Sequence, residues 1–463
     1  MVIHSSDNLS RSDDRTDWRG ASKATVTAAV LAVIGIGAGI GLSLGGRFPF
    51  RGFLFGYLAG YAFVLAMAIG SIAFVLLQHV TRAAWSVSIR RIAENFAATM
   101  PLLAVLALPM LISVASSSGS LYRWALPWDL KHAPMADRIA AAKGEDEVAP
   151  RHVKANVELQ TPTVAAPSDP STFILDPLDV NKRIAGMHWL NPWFWIGRVI
   201  FYFACWIGIA WWYRRLSIEQ DRTGDDALTL RMQVAAGPCL VLLGLTVTGF
   251  AFDLLMSLDP HWYSTMFGVY YIAECLMSSF AIFIITVYFL QKAGYLRDSI
   301  SIEHYHDMGK YLFTWTFFYG YIGFAQYMLI WYANIPEETQ WMARHGVSTA
   351  VHNGWNGVII AILFGHFLIP FCALMSRHPK RRRGVLTMLA FWQLFFVAVD
   401  MYWIVTPEMG PSGPDWRSIV EAVLGVAGLT AAFFAGFAYL SARASLRPLR
   451  DPRLAASLVF QNI

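Results

Sequence analysis

The chain has little charge for its length, since only 14% of its 463 residues are Asp, Glu, Lys or Arg. A soluble protein carries about 25% charged residues. Hydrophobic residues make up 56% of the chain, and the mean hydropathy is +0.45. This composition excludes an ordinary soluble protein. The net charge of +5 does not predict a nucleic-acid partner, because the basic residues lie between apolar runs, where they act as topology signals.

Cysteine is scarce, and its spacing is not that of a metal site. The four cysteines are Cys205, Cys239, Cys275 and Cys372, each within an apolar run, and no CxxC or CxxCH motif occurs. The sequence therefore predicts that this chain binds no metal, no Fe–S cluster and no covalently attached haem c. Thiols within apolar spans are most simply small core residues.

The apolar residues gather into blocks of roughly 20 to 26, each long enough to cross about 30 Å of hydrocarbon as a helix. They predict an all-α polytopic membrane protein with about ten transmembrane helices. The predicted spans are residues 24–44, 52–77, 96–117, 192–213, 230–252, 265–290, 309–333, 352–376, 385–405 and 417–440. Spans one to three thus fall in residues 24–117, and spans four to ten in 192–440.

Lys and Arg are distributed unevenly when successive inter-span segments are assigned to alternate sides. One side, which holds the tails 1–23 and 441–463, carries 23 of them, whereas the short loops opposite carry four. The positive-inside rule then predicts a multi-pass protein with both termini in the cytoplasm and an uncleaved first span. The basic run Arg381 to Arg383 is interpreted as a topology signal, with contact to anionic membrane lipids as the alternative.

Residues 118–191 form the one long insertion between predicted spans, and the topology places them outside the membrane. The segment is rich in proline and carries mixed charge. Loops of this length are usually functional or disordered. Two interpretations stay open: a segment that docks on or covers a partner, or a flexible loop.

Ionisable residues inside a predicted span each cost roughly 2.5 to 3.5 kcal/mol on insertion scales, so each one needs a reason. Glu274 lies near the middle of the sixth span, with Tyr270 and Ser278 on the same helix face. His366 is the only histidine well inside a span. A proton pathway through these four residues is one hypothesis. The alternatives are a neutral or paired glutamate that joins two helices and a core histidine with satisfied hydrogen bonds.

Five stretches carry more information than their periodicity. They are QHVTRAAWSVSIRRIAENFAATMPLLA (78–104), WLNPWFWIGRVIFYFACWIGIAWWYRRLSIEQD (189–221), FDLLMSLDPHWYSTMFGVYY (252–271), HYHDMGKYLF continuing to FAQYMLIWYANIPEETQW (304–341), and DMYWIVTP (400–407). In this order, and across spans two to nine, they resemble the ActF-type membrane subunit of bacterial alternative complex III. That subunit belongs to the wider NrfD or polysulfide-reductase membrane-subunit family.

The resemblance implies a fold of two four-helix bundles with flanking helices in the bacterial cytoplasmic membrane, without redox cofactors in this chain. It also implies several partners: a paralogous ActC-like membrane subunit, an external Fe–S subunit, external multihaem cytochrome c subunits and possibly a terminal oxidase. The whole complex would oxidise quinol and pass electrons to a cytochrome c or terminal oxidase. In the family, the quinol site is associated more with the ActC-like paralogue, and Val397 replaces a family histidine three residues before Asp400.

Quinol oxidation near the outer face releases two protons, so its site needs a carboxylate or imidazole within reach of a quinol hydroxyl. Asp253, Asp259, His261 and Asp400 lie at the predicted depth and are candidate quinone or proton-acceptor residues. Asp253 and Asp400 have an alternative role as helix caps or backbone hydrogen-bond partners. Two other functions stay open for the whole chain: a secondary transporter, in which carboxylates inside the membrane are typical, and a purely structural membrane anchor.

Overall fold

The computed structural model describes residues 15–44, 50–116, 120–125, 189–260, 262–347, 353–409 and 413–461. These residues are almost wholly helical, and they include no β-strand beyond a single bridge between Arg15 and Tyr295. The prediction of an all-α polytopic membrane protein is therefore confirmed. His261 and most of the 118–191 segment lie outside the described residues, so the two interpretations of that segment stay predictions.

Ten long helices correspond to the ten predicted spans. They are α1 (Ala21–Leu44), α2 (Arg51–Val80), α3 (Val87–Ala115, with turns before its two prolines), α4 (Pro192–Thr223), α5 (Ala227–Leu254), α6 (Met266–Lys292), α7 (Ile302–Ala333), α8 (Asn356–Met375), α9 (Arg383–Val405) and α10 (Trp416–Ser441). Nine of these described helices are long and apolar enough to cross a membrane. The exception is α7, which has 32 residues but is rich in Tyr and Trp, whose polar atoms lower its hydropathy.

Helix α2 lies at the centre of the molecule and is buried along nearly its whole length. It packs against α5, α6, α9 and α10. Close approach to α10 depends on glycine, because a Cβ added at Gly56 would lie 2.7 Å from the Glu421 carbonyl carbon, and one at Gly60 2.7 Å from that of Gly425. Small residues spaced four apart allow such backbone contact between membrane helices.

The described chain ends lie on the same side of the helices, where the Leu446 amide donates to the Thr16 carbonyl over 2.8 Å. We call this side the tail side, and the opposite side, where the 118–191 segment begins and ends, the loop side. On the tail side the guanidinium groups of Arg90 and Arg91, at the start of α3, are buried. Arg90 binds Asp451 at 2.7 Å, and Arg91 binds Asp221 at 2.7 Å. These two arginines therefore hold the fold together in addition to any part in topology.

Helix α8 is irregular at its centre, where Leu363–Leu368 form a π-helical turn. The cause follows in the sequence: Pro370 has no N–H to donate to the carbonyl of His366 four residues earlier, so the α-helical pattern cannot continue there. The neighbouring Gly365 carbonyl accepts a hydrogen bond from the Trp392 indole at 2.7 Å. The widened turn sets the orientation of His366 in the helix bundle.

Candidate functional site

Three ionisable side chains from different helices meet in the membrane interior: Glu274 of α6, His366 of α8 and Asp400 of α9. One ligand atom of each lies within 4.8 Å of the others, and all three residues have no solvent-exposed surface. His366 Nε2 is 3.7 Å from Glu274 Oε1. We call these three residues the carboxylate–histidine cluster.

The cluster lies toward the loop-side ends of its helices. Glu274 is eight residues from the start of α6, and Asp400 is five residues before the end of α9. At 1.5 Å per residue these positions are about 12 Å and about 8 Å from the helix ends. From the sequence, Asp400 is a candidate for a quinone site, and Glu274 with His366 are candidates for a separate proton pathway. The structure instead brings all three residues to one place.

Two tyrosines bind the Asp400 carboxylate. The Tyr270 hydroxyl lies 2.8 Å from both Asp400 oxygens, and the Tyr319 hydroxyl lies 3.3 Å from Oδ1. The two hydroxyls are 3.0 Å apart, and the Tyr319 ring also packs on the His366 ring with centroids 4.3 Å apart. Hydrogen bonds from neutral donors stabilise negative charge on a carboxylate in a dry environment. Tyr270 lies on the helix face of Glu274, but its hydroxyl binds Asp400 and not Glu274. Its assignment to a proton pathway stays a prediction.

Glu274 and His366 lack such partners. Within the described residues, no amide, hydroxyl or guanidinium group donates to the Glu274 carboxyl group, whose hydrogen-bond contact is with the Asp400 carboxyl group. Neither nitrogen of the His366 ring has a hydrogen bond of good geometry. A buried polar group without a partner is costly, and a buried charge without one is costlier still. A neutral, protonated Glu274 or water between these groups would relieve that cost. Either condition makes the cluster able to hold and exchange a proton.

Further polar side chains continue along the same helix faces in both directions. Toward the loop side, Gln326 lies two turns beyond Tyr319 on α7, and its Oε1 accepts from the Ser264 hydroxyl at 3.4 Å. Toward the tail side, Gln393 lies two turns before Asp400 on α9 and donates to Thr316 Oγ1 at 2.6 Å. Ser278, a predicted pathway residue, donates to the Cys275 carbonyl of its own helix at 3.1 Å. The polar stretch is therefore longer than the four predicted residues.

Two carboxylates and an imidazole at this separation are also a donor set that a divalent cation can use. The sequence predicts no metal in this chain, and that statement stays a prediction. Glu274 and His366 would be the available ligands, since the tyrosine hydroxyls already occupy the Asp400 oxygens.

Asp253, a predicted quinone or proton-acceptor residue, lies in a different environment at the end of α5. Arg198 binds both of its oxygens, Nη2 to Oδ1 at 2.7 Å and Nε to Oδ2 at 2.8 Å. Trp189 Nε1 donates to Oδ1 at 3.1 Å, and the Tyr202 hydroxyl donates to Oδ2 at 2.9 Å. Each carboxylate oxygen thus accepts two hydrogen bonds. This geometry favours a structural role for Asp253, and its assignment to quinone stays a prediction.

Asp259, another predicted acceptor residue, lies in the segment after α5 on the loop side. Arg344 bridges it to Glu408, with Nη2 at 2.7 Å from Asp259 Oδ2 and Nη1 at 2.6 Å from Glu408 Oε2. The bridge joins the short helix Pro336–Arg344 to the end of α9. Asp259 therefore contacts Arg344 and is not part of the carboxylate–histidine cluster. His261 falls outside the described residues, and its assignment stays a prediction.

Two important residues were missed from the sequence. Tyr319 gave no distinct signal, because α7 contains many aromatic residues and only the contact with Asp400 separates this one from the rest. Arg198 did give a signal: an arginine six residues into an apolar helix needs a partner. The cost of a charge in an apolar helix thus predicts a buried acidic partner for Arg198.

Comparisons with known proteins do not assign the chain to a family. No protein-family model matches it, and no curated protein matches it in sequence.

Proposed function

We propose that this chain is an integral membrane subunit of a respiratory quinol-oxidising complex of the alternative complex III type, and that it carries protons through the carboxylate–histidine cluster. The polytopic helical fold supports the membrane location in this proposal. The observation that carries it is that two buried groups, Glu274 and His366, have no hydrogen-bond partner outside the cluster and lie beside a second carboxyl group. The ordered stretches that resemble the ActF-type subunit supply the respiratory context.

The chemistry of the cluster suits storage and transfer of one proton. Two carboxyl groups this close cannot both carry charge cheaply in a dry site, so one proton shared between them is the favoured state. The proton passes between Glu274 and Asp400 directly or through one water. His366 provides a second acceptor next to Glu274, and the Tyr270 and Tyr319 hydroxyls extend the chain of exchangeable protons toward the loop side.

In this proposal the redox chemistry belongs to the partners. The external Fe–S and multihaem cytochrome c subunits hold the electron carriers, and the ActC-like paralogue binds the quinol. Among the described acceptor candidates, Asp400 lies next to a second buried acid with no arginine between them, whereas Arg344 separates Asp259 from Glu408. Asp400 is therefore the position in this chain where protons released from quinol would enter. The scaffold part of the proposal assigns docking of the external subunits to the loop side.

Substitution of Glu274 by Gln tests the proton-carrying part. The purified complex in liposomes, with a pH-sensitive dye inside, should lose most of its quinol-dependent proton movement while electron transfer to the acceptor continues. Glu421→Gln is the matched control, because Glu421 is a buried carboxyl group on α10 outside the cluster. Unchanged proton movement in the Glu274→Gln complex would refute the proton-carrying part.

Co-purification tests the assembly part. A tag at the C-terminus, extraction in mild detergent and mass spectrometry should identify a second polytopic membrane subunit together with Fe–S and multihaem cytochrome c proteins. Purification of the chain alone, or as a homo-oligomer, would refute the respiratory assignment. The cluster would then be tested as the coupling site of a secondary transporter, by solute uptake into liposomes.

A further inference from the structure

We infer that a groove on the tail side, between α3, α4 and α10, binds the headgroup of an anionic phospholipid. This arginine groove has a volume of about 680 Å³. The lining residues that matter for binding are Ile207, Trp211, Arg214, Arg215, Glu219 and Arg222 of α4. The inference is independent of the carboxylate–histidine cluster, because none of the cluster residues lines the groove.

The groove carries an excess of positive charge. Three guanidinium groups and one carboxylate line it. Within the described part of the chain, the exposed side chains of Arg215 and Arg222 have no carboxylate partner within ion-pair distance. Asp221 is engaged elsewhere, since it binds Arg91 at 2.7 Å, and Glu219 is the single carboxylate that lines the groove. A phosphate group would therefore meet two cations that the protein itself leaves available.

Arg214 is held in position by the protein. Its Nε donates to Asn95 Oδ1 at 3.0 Å, and its Nη2 donates to the Leu440 carbonyl at 3.1 Å. These two bonds join α4 to α3 and α10 at the wall of the groove. Within the described residues, Nη1 of the same guanidinium donates no hydrogen bond, and this guanidinium lines the groove. A fixed guanidinium is a better anion-binding group than a mobile one, because less side-chain entropy is lost on binding.

The position of the groove selects a lipid over a free anion. The apolar lining residues Ile207 and Trp211 come from the membrane-spanning part of α4, whereas Arg215 and Arg222 follow one and three turns later. Trp211 is 58% exposed, and the Arg215 guanidinium stacks over its ring at 5.2 Å. Tryptophan with arginine marks the level of lipid headgroups. Acyl chains would thus lie against the apolar end and the phosphate against the arginines, as in basic pockets between membrane helices that bind acidic lipids.

Native mass spectrometry of the full chain in mild detergent, with any subunits that remain attached, tests the inference. Phosphatidylglycerol is titrated against phosphatidylcholine with the same acyl chains. The wild-type protein should retain phosphatidylglycerol preferentially, and Arg215→Gln with Arg222→Gln should weaken that binding about tenfold or more, since each basic residue near acidic lipid contributes severalfold to affinity. Glu219→Gln should strengthen it, because it removes the one negative charge of the groove.

Arg82→Gln with Arg377→Gln is the matched control, since it removes two exposed arginines from the same side of the molecule without touching the groove or the basic run Arg381 to Arg383. This pair should leave phosphatidylglycerol binding unchanged. Equal loss in both double variants would mean that general positive charge, and not the groove, attracts the lipid, and would overturn the inference. Equal retention of the two lipids by the wild type would also overturn it, as would competition by inorganic phosphate at the same concentration as the lipid.

Discussion

Asp253 and Glu274 are both fully buried carboxyl residues in neighbouring helices, yet their surroundings are opposite. Asp253 accepts four hydrogen bonds, two of them from Arg198. Within the described residues, Glu274 accepts none from an amide, hydroxyl or guanidinium group and lies beside a second carboxyl group. A carboxylate with all its acceptor positions filled has a fixed charge and a structural role. One with empty positions next to another acid can change its protonation state, so the partners of a buried acid indicate its role better than its depth does.

The largest expected effect comes from breaking the satisfied pair. Arg198→Gln leaves the Asp253 charge buried without its main partner, which should lower the free energy of unfolding by about 3–5 kcal/mol. Thermal unfolding of the purified protein in detergent measures this. Glu274→Gln is the contrasting variant and should change the melting temperature little, since no arginine or other fixed cation binds Glu274 and Gln can still form a hydrogen bond with Asp400. Equal melting temperatures for Arg198→Gln and wild type would remove the distinction between the two sites.

A second comparison pairs the two aspartates. Asp400→Asn keeps the hydrogen-bonded shape but removes the exchangeable charge, so we expect proton movement in liposomes to fall about tenfold or more at nearly unchanged stability. Asp253→Asn should lower the stability and leave proton movement unchanged, because Arg198 loses its anion while the cluster stays intact. Proton movement and melting temperature measured on the same preparations separate the two outcomes. Loss of proton movement in Asp253→Asn at full stability would place Asp253 on the pathway.

Asp451 on the tail side resembles Asp253, because arginine partners fix its negative charge as well. Burial alone would raise the pKa of Asp451, but Arg90 and Arg453 lower it to about 2. Because the folded-state pKa lies below the unfolded value, this interaction stabilises the fold above about pH 4, and the gain is lost as the pH falls toward 2. We expect about 2 kcal/mol of acid-dependent stability. Asp451→Asn should lose that pH dependence in unfolding measured from pH 5 to pH 2. A slope equal to that of wild type would contradict the assignment.

The smallest expected effects come from single tyrosine donors. Tyr202→Phe leaves Asp253 with Arg198 and Trp189, so stability should fall by about 1 kcal/mol and proton movement should not change. Tyr270→Phe removes the closest donor to Asp400, and proton movement should slow severalfold. Each variant removes one tyrosine hydroxyl group, so the two variants are controls for each other. Equal rates of proton movement in both would indicate that the tyrosine hydroxyls take no part in transfer.

The long apolar runs determined the helices and their order, because a backbone in hydrocarbon must satisfy its hydrogen bonds within the helix. The span 309–333 was predicted with the other apolar blocks, although the Tyr and Trp residues of α7 lower its hydropathy below that of the nine other helices. The predicted candidates Glu274 and His366 followed from a second rule, since an ionisable group inside an apolar span is expensive. These inferences depend only on local sequence.

Only the tertiary structure decided which buried groups meet. Asp253 and Asp400 look alike in sequence, each a lone acid near the loop-side end of a span. Helix packing places Arg198 beside Asp253, and it places Glu274 and His366 beside Asp400. That choice depends on the rotation of each helix about its axis, which side chains far apart in the chain set, and on the π-helical turn of α8 before Pro370. The sequence thus determined which residues need a partner, and the packing of the helices decided whether each one received it.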